Sequence, residues 1–343
     1  MLSTEEAHAR LAAIPNLTIS RDEPLWRHTR FGIGGPADLY AETSNAEIFV
    51  AALTEARASG METAIIGGGT NLIVADEGFR GIVLRYRAAV LASHGNCVRA
   101  DAGAELQDLV DFTISRGLKG LETLAGIPGS VGAAVYGNAG AYGHSISERV
   151  VWVRFCDGGR IRAIPNHECE FRYRESIFKA RKEWIVFSTE LLLDPEDAAL
   201  LQQTAAEIVA VRSQKFPVTM KCAGSIFKNL LLAELPADVA AGVPASVTRE
   251  GKVPSAWFLE QVGAKGMRRG HIQVADYHAN LVYNEGGGTA ADLCALILEL
   301  KQRIWDSFGI LLEEEVQYVG TIGTDPVPGG GSEDGGNPRR AAT

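Results

Sequence analysis

Two glycine-rich segments constrain this chain more than any other feature. The first, Gly67-Gly68-Gly69-Thr70-Asn71, follows the short β-branched run Ala64-Ile65-Ile66 and precedes a second apolar run, Leu72-Ile73-Val74. The second, Gly126-Ile127-Pro128-Gly129-Ser130-Val131-Gly132, leads on to Gly137-Asn138-Ala139-Gly140-Ala141-Tyr142-Gly143. Glycine after a strand lets the backbone approach a phosphate closely and aim several N–H donors at it. Taken singly, each segment is more often an ordinary turn, so the rest of the chain must decide. The competing Rossmann pattern, Gly32-Ile33-Gly34-Gly35-Pro36-Ala37, lacks a credible strand before it, and Pro36 interrupts its glycine turn. Gly67-x-Gly69 has the better strand but carries Leu72 where a third glycine should stand.

Composition excludes several classes of protein. With 343 residues, 46% hydrophobic and 22% charged, the chain is long enough for two or three domains with real cores. A net charge of −9 argues against a nucleic-acid partner, so an anionic ligand would have to be held by individual Arg and Lys residues. Five scattered cysteines form no C-x-x-C pair, and seven histidines show no ligand spacing, so neither a disulfide framework nor a metal site is expected. The acidic start, Met1-Leu2-Ser3-Thr4-Glu5-Glu6, is unlike a secretory signal, and apolar runs such as 64–74 fall short of the roughly 20 residues of a membrane helix. A cytoplasmic location without membrane association is the expectation.

Periodicity places the main elements. Ser44 and Glu47 have capping-box spacing ahead of the apolar face Ile48, Phe49, Ala52, Leu53 and Ala56, with Gly60 as the stop. Leu106, Leu109, Val110 and Ile114 predict a second helix ending at Gly117. Strands are predicted through 151–155 and 185–189, then a helix at about 195–212 that stops before Phe216-Pro217. Thr289 to Phe308 carries Leu293, Leu296, Ile297, Leu300 and Ile304 on one face, with Gly309 at its end. The Gly- and Pro-rich tail, 321–343, is expected to be disordered.

Further motifs then give the glycine segments a context: His28-Thr29-Arg30-Phe31, Tyr173-Arg174-Glu175-Ser176, Arg212-x-x-Lys215-x-Pro217, Gly224-Ser225-Ile226-Phe227-Lys228-Asn229 and Glu315-Val316-Gln317-Tyr318-Val319-Gly320. In this order, from about His28 to Gly320, the chain resembles the UDP-N-acetylenolpyruvoylglucosamine reductases, flavoenzymes of peptidoglycan precursor synthesis. The resemblance implies an α+β fold: a two-part FAD-binding region of the vanillyl-alcohol-oxidase/PCMH type and a smaller α+β substrate-binding domain. Residues 1–82, completed by 313–320, would form the first FAD subdomain, 83–212 the second, and 213–312 the substrate domain.

The resemblance further implies bound FAD, NADPH as hydride donor and a UDP-sugar substrate, with no obligatory protein partner inferred. The family's catalytic arginine, serine and glutamate fall on Arg174, Ser225 and Glu315, with Tyr173, Lys215 and Asn229 as substrate contacts. Cofactor contacts are expected from Gly67, Gly68, Gly69, Thr70, Asn71, Gly126, Ile127, Pro128, Gly129, Ser130, Gly132, Gly137, Asn138 and Gly140. The interval from Arg174 to Ser225 is too short for a tyrosine-bearing substrate loop, which places the chain with the subtype lacking it. Residues 230–254 match the family poorly, and Gln317 stands where many members carry arginine. Another FAD oxidoreductase on this fold would keep the glycine segments but have no need of the Ser225 motif. His278 and Asn280 are read as either near the site or purely structural.

Overall fold

The computed structural model describes residues 1–322. The expected disorder of the tail therefore falls largely outside the described residues, at 323–343. Three sheets organise the rest. The first runs in the order Thr18–Pro24, Pro36–Thr43, Phe79–Tyr86, Glu62–Ile66, antiparallel at its first pair and parallel thereafter. A parallel pairing needs a crossover, and helix Ala46–Ala58 supplies it. That helix buries Phe49, Ala52, Leu53 and Ala56 against Leu39, Ala41, Ile82 and Leu84, together with Ala7 and Leu11 of helix Thr4–Ala12.

The second sheet is antiparallel throughout, in the order Ile161–Pro165, Val150–Asp157, Trp184–Leu192, Cys97–Asp101, Leu91–His94. Helices Leu106–Ile114, Val131–Tyr136 and Ala198–Lys215 contribute to its core through Leu109, Val110, Val131, Val135, Leu201 and Ala205. The third sheet, Lys221–Ser225, His278–Asn284, Ile272–Ala275, Arg268–Arg269, is also antiparallel. Helices Ser255–Gln261 and Ala290–Phe308 share its apolar core. The chain then returns: Gln317–Val319 pairs in parallel with Leu72–Val74, directly after the first glycine turn.

The expected helices are present, with shifted ends. Asn45, not Ser44, caps the helix that begins at Ala46, its Oδ1 accepting from the Ile48 N–H at 3.0 Å. An Asx side chain reaches the third amide of the helix as well as a serine does, and Asn45 stands one residue nearer. The helix expected from 195 starts at Ala198, where Asp197 accepts from the amides of Ala199 and Leu200, and continues to Lys215. Asp194–Pro195 pairs with Leu118–Lys119 instead. The apparent Rossmann turn is a strand entry: the Gly35 N–H donates to Ala75 O at 2.9 Å and the chain enters Pro36–Thr43, not a helix. Four of the five thiols are buried, and burial pushes those of Cys169 and Cys294 up to about 12. Among the described residues, no helix is long and apolar enough to cross a membrane.

Candidate functional site

The two glycine segments meet face to face. Gly69 has φ 65°, and a Cβ there would lie 1.6 Å from the His28 carbonyl oxygen. Gly129 has φ 120°, and its Cβ would lie 2.7 Å from Thr70 Oγ1. Gly68 approaches Gly129, Gly67 approaches the Ser130 hydroxyl, and Thr70 Oγ1 donates to Pro128 O at 3.4 Å. The result is a seam of closely apposed backbone in which Gly69 and Gly129 leave no room for a Cβ, the kind of surface a dinucleotide needs for close approach. Gly69→Ala should combine a left-handed backbone penalty with overpacking, costing at least about 1–3 kcal/mol. A lowered Tm together with reduced bound flavin would show it, and an unchanged Tm would contradict this reading of the seam.

Other expected cofactor residues have their polar groups engaged within the protein. The Gly126 N–H donates to Gln107 Oε1 at 2.7 Å, the Ile127 N–H to Leu124 O at 3.1 Å and the Gly132 N–H to Ala102 O at 2.8 Å. The Gly137 N–H donates to Ala133 O at 3.0 Å, and the Ser130 hydroxyl caps helix Val131–Tyr136. Asn138 is buried, donating from Nδ2 to Arg172 O and accepting from the Ser147 N–H. The Asn71 side chain donates to Glu315 O at 2.8 Å, which ties the first glycine turn to the segment carrying that carboxylate. Beside Gly126 lies Arg212, whose Nε is buried without a hydrogen-bond partner among the described residues. Burial, then the charges of Arg174 and Arg30, lower its pKa. A partly buried guanidinium among like charges fits an anionic ligand at this edge of the seam.

Arg174 and Glu315, 141 residues apart in sequence, are brought together: Arg174 Nε donates to Glu315 Oε1 at 3.3 Å. Arg174 Nη2 donates to Gly140 O at 2.9 Å, so Gly140 orients the guanidinium through its carbonyl. The Arg174 backbone is left-handed, φ 58°, inside a turn closed by reciprocal hydrogen bonds between Arg172 and Glu175. Ser225 ends strand Lys221–Ser225, beyond a register shift that includes Gly224 at φ 78°. The carbonyl of the next residue, Ile226, accepts the Glu315 N–H at 2.8 Å, so the serine segment and the carboxylate segment are joined through the backbone. Asn280 braces the same segment: its Oδ1 accepts the Phe227 N–H, and its Nδ2 donates to Phe227 O and Ser255 Oγ.

Burial raises the Glu315 pKa above the ordinary carboxyl value, outweighing the opposing effect of Arg174. A folded-state pKa raised in this way means that the native protein holds the proton more tightly than the unfolded chain. The stabilisation is complete below the unfolded value and is lost as pH rises through the folded one. Glu315→Gln removes this titration. The Tm difference between variant and wild type should therefore shift in the variant's favour as pH rises from about 4.3 through the raised value, then level off. A difference independent of pH would contradict a raised Glu315 pKa.

Tyr173 and Asn229 also meet, the Asn229 N–H donating to Tyr173 Oη at 3.4 Å. The Lys252 ammonium lies 4.5 Å from the Tyr173 ring centroid, which brings the 230–254 segment over this side of the site. Lys215 stands further off, at the end of helix Ala198–Lys215, with its ammonium 5.1 Å from the Phe216 ring centroid. Burial and then Arg212 lower its pKa, while burial and then Lys215 push His278 down to about 4. The imidazole of His278 accepts the Asn280 N–H at 3.1 Å, a structural contact. The motifs that contain Lys228 and Arg212 give neither residue a role of its own. Burial, which a motif does not display, sets them apart.

Residues 37–161 match the profile of an FAD-binding domain, and 216–319 match that of the C-terminal domain of UDP-N-acetylenolpyruvoylglucosamine reductase. With the glycine seam, these define an FAD-dependent oxidoreductase of α+β fold, with an FAD-binding domain and a C-terminal domain of the reductase type. The chain is 65% identical over 311 residues to the UDP-N-acetylenolpyruvoylglucosamine reductase of Solibacter usitatus, covering 91% of this chain and 100% of that protein. It is 36% identical to the reductase of the same name from Rubrobacter xylanophilus, with 87% and 94% covered. The crystal structure of the Thermus caldophilus reductase superposes with a TM-score of 0.68 at 27% identity, covering 88% of this chain and 98% of that one. The chain belongs to the UDP-N-acetylenolpyruvoylglucosamine reductase family.

Proposed function

We propose that this protein reduces the enolpyruvyl double bond of UDP-N-acetyl-3-O-(1-carboxyvinyl)glucosamine to give UDP-N-acetylmuramate, a step in peptidoglycan precursor synthesis, with NADPH as reductant. The observation that carries the reading is the convergence of Arg174, Glu315 and the Ser225 segment through the Arg174–Glu315 hydrogen bond and the Ile226–Glu315 backbone bond. Family membership supports the substrate and the reductant, and the glycine seam with the Arg212 edge supports FAD. Bound FAD would supply a hydride from N5 to the terminal carbon of the enolpyruvyl group.

The protein's part is to manage the charge that then develops. Addition at the terminal carbon leaves an enolate spread over the neighbouring carbon and its carboxylate. Arg174 binds that carboxylate with N–H groups not already given to Glu315 and Gly140. Its charge stabilises the doubly negative enolate more than the singly charged enolpyruvyl carboxylate and so lowers the barrier. Ser225 delivers the proton to the enolate carbon, a task a weakly acidic hydroxyl performs only against a strongly basic acceptor shielded from water. Glu315, in its protonated form, donates a hydrogen bond to the developing enolate. In this reading residues 1–82 with 313–320 and residues 83–212 hold the cofactor, and 213–312 bring the substrate and the serine.

The test is a reaction of the flavin-loaded protein with NADPH and the enolpyruvyl sugar, followed by mass spectrometry. The sugar should gain two hydrogen atoms, with NADPH consumed in equal amount. NADPH consumption that depends on oxygen and ignores the sugar would instead mark an oxidase and overturn the reading.

A further inference from the structure

We propose that Lys228 is a positioning residue that locks the Arg174 turn to the segment carrying Glu315, an inference that rests on the roles given above to those two side chains. Lys228 is 7% exposed, unusual for a lysine, and its burial is matched by charge. Its Nζ lies 2.6 Å from Glu175 Oε1 and also bonds Glu313 Oε1, while its backbone N–H donates to Glu313 O at 2.9 Å. Glu175 directly follows Arg174, and Glu313 precedes Glu315 by two residues. One ammonium thus joins three segments: the arginine turn, the serine motif that contains Lys228 itself, and the approach to Glu315.

The turn needs such a tie. Arg174 holds a left-handed backbone, φ 58°, which a residue with a bulky side chain keeps only where its surroundings enforce it. Lys179 holds the same turn from the other side, with its Nζ 3.0 Å from Arg174 O and 2.9 Å from Glu175 Oε1. Without the Lys228 ammonium, Glu175 would keep Lys179 but Glu313 would lose its cation, and the side-chain tie between the two segments would be gone. Because both carboxylates engage its ammonium, Lys228 acts through Arg174 and Glu315 and not on the substrate. Misplacing either group would weaken enolate stabilisation without removing the cofactor seam, which lies at residues 67–70 and 128–130.

The experiment uses the full-length, flavin-loaded protein and the variants Lys228→Met, Lys228→Arg and Glu313→Gln. The last changes a side chain that is 70% exposed, which keeps the test available should Lys228→Met fold poorly. Amide hydrogen exchange over 172–176 should quicken about tenfold in Lys228→Met, and measurably in Glu313→Gln, as the turn loosens. In stopped flow without oxygen, NADPH should still bleach the flavin at close to the wild-type rate. Reoxidation by saturating enolpyruvyl sugar should slow roughly 10- to 100-fold through kcat without a matching rise in KM, and Lys228→Arg should restore most of it. Wild-type exchange at 172–176 in both Lys228→Met and Glu313→Gln would overturn the proposal, as would equal losses in both half-reactions. A wild-type flavin that the sugar does not reoxidise would overturn the functional reading alone, since the exchange arm decides positioning by itself.

Discussion

Ser225→Ala should leave reduction of the flavin by NADPH nearly intact while slowing its reoxidation by the enolpyruvyl sugar by at least roughly a hundredfold, the low end of general acid catalysis. The asymmetry follows from where Ser225 sits. It lies at the end of a strand in the third sheet, with its backbone paired to Leu281, and not on the glycine seam. The register shift between Cys222 and Ser225, with Gly224 at φ 78°, turns the strand out of its regular pleat just before the serine. Alanine can occupy the same half-buried position at little structural cost, so a folding defect is not expected. What is lost is one hydroxyl proton, needed in the second half-reaction only. Equal loss in both halves would show that the serine supports folding or cofactor binding instead.

Arg174→Lys should lower kcat for the sugar by about 10²–10³, the range for removing a principal donor to a developing oxyanion. A guanidinium presents five N–H groups in a fixed plane. Here Nε donates to Glu315 and Nη2 to Gly140 O, which fixes that plane while further N–H groups stay available for a carboxylate. An ammonium keeps the charge but is a compact point that cannot hold Gly140 and a bidentate ligand together. The loss should therefore fall on kcat more than on KM, because the contact is strongest when the enolate forms. A variant with near wild-type kcat and a raised KM would show that Arg174 serves binding alone.

Much of this arrangement was legible in the sequence, for reasons particular to each part. Gly69 and Gly129 could be read because a backbone seam tolerates no side chain, and glycine is the residue that shows it. The helix Ala290–Phe308 could be read because Leu293, Leu296, Ile297, Leu300 and Ile304 repeat at the helical period and bury one face. The Asn45 cap was missed by one residue because serine and asparagine cap by the same hydrogen bond, and spacing alone does not choose between them. Helix Thr4–Ala12 went unread, although Ser3 and Glu6 form a capping box there, because it buries only Ala7 and Leu11. The 230–254 segment, which matches the family poorly, is built from elements that sequence periodicity does not reveal. Its strands, Leu230–Leu231 and Lys252–Val253, are two residues each, too short for a period to register.

Site residues divided along similar lines. Arg174, Ser225 and Glu315 were singled out by motif, but their convergence depends on backbone bonds between Ile226 and Glu315 and on the Asn71 side chain reaching Glu315 O. No local pattern encodes contacts across such separations. The glycine-rich motif points to Asn138 and Gly140 as cofactor residues, whereas the structure engages the Asn138 side chain with Arg172 and Ser147 and turns the Gly140 carbonyl toward Arg174. Lys228 looks like one more motif lysine until its burial between Glu175 and Glu313 is seen.

One measurement bears most directly on whether these residues perform this reaction. The flavin-loaded wild-type protein is reduced with a single equivalent of NADPH without oxygen, and the enolpyruvyl UDP-sugar is then added. The flavin absorbance should return within a turnover, with one equivalent of the saturated sugar acid formed. A flavin that stays bleached in the presence of that sugar, and recovers only when oxygen is admitted, would contradict the assignment.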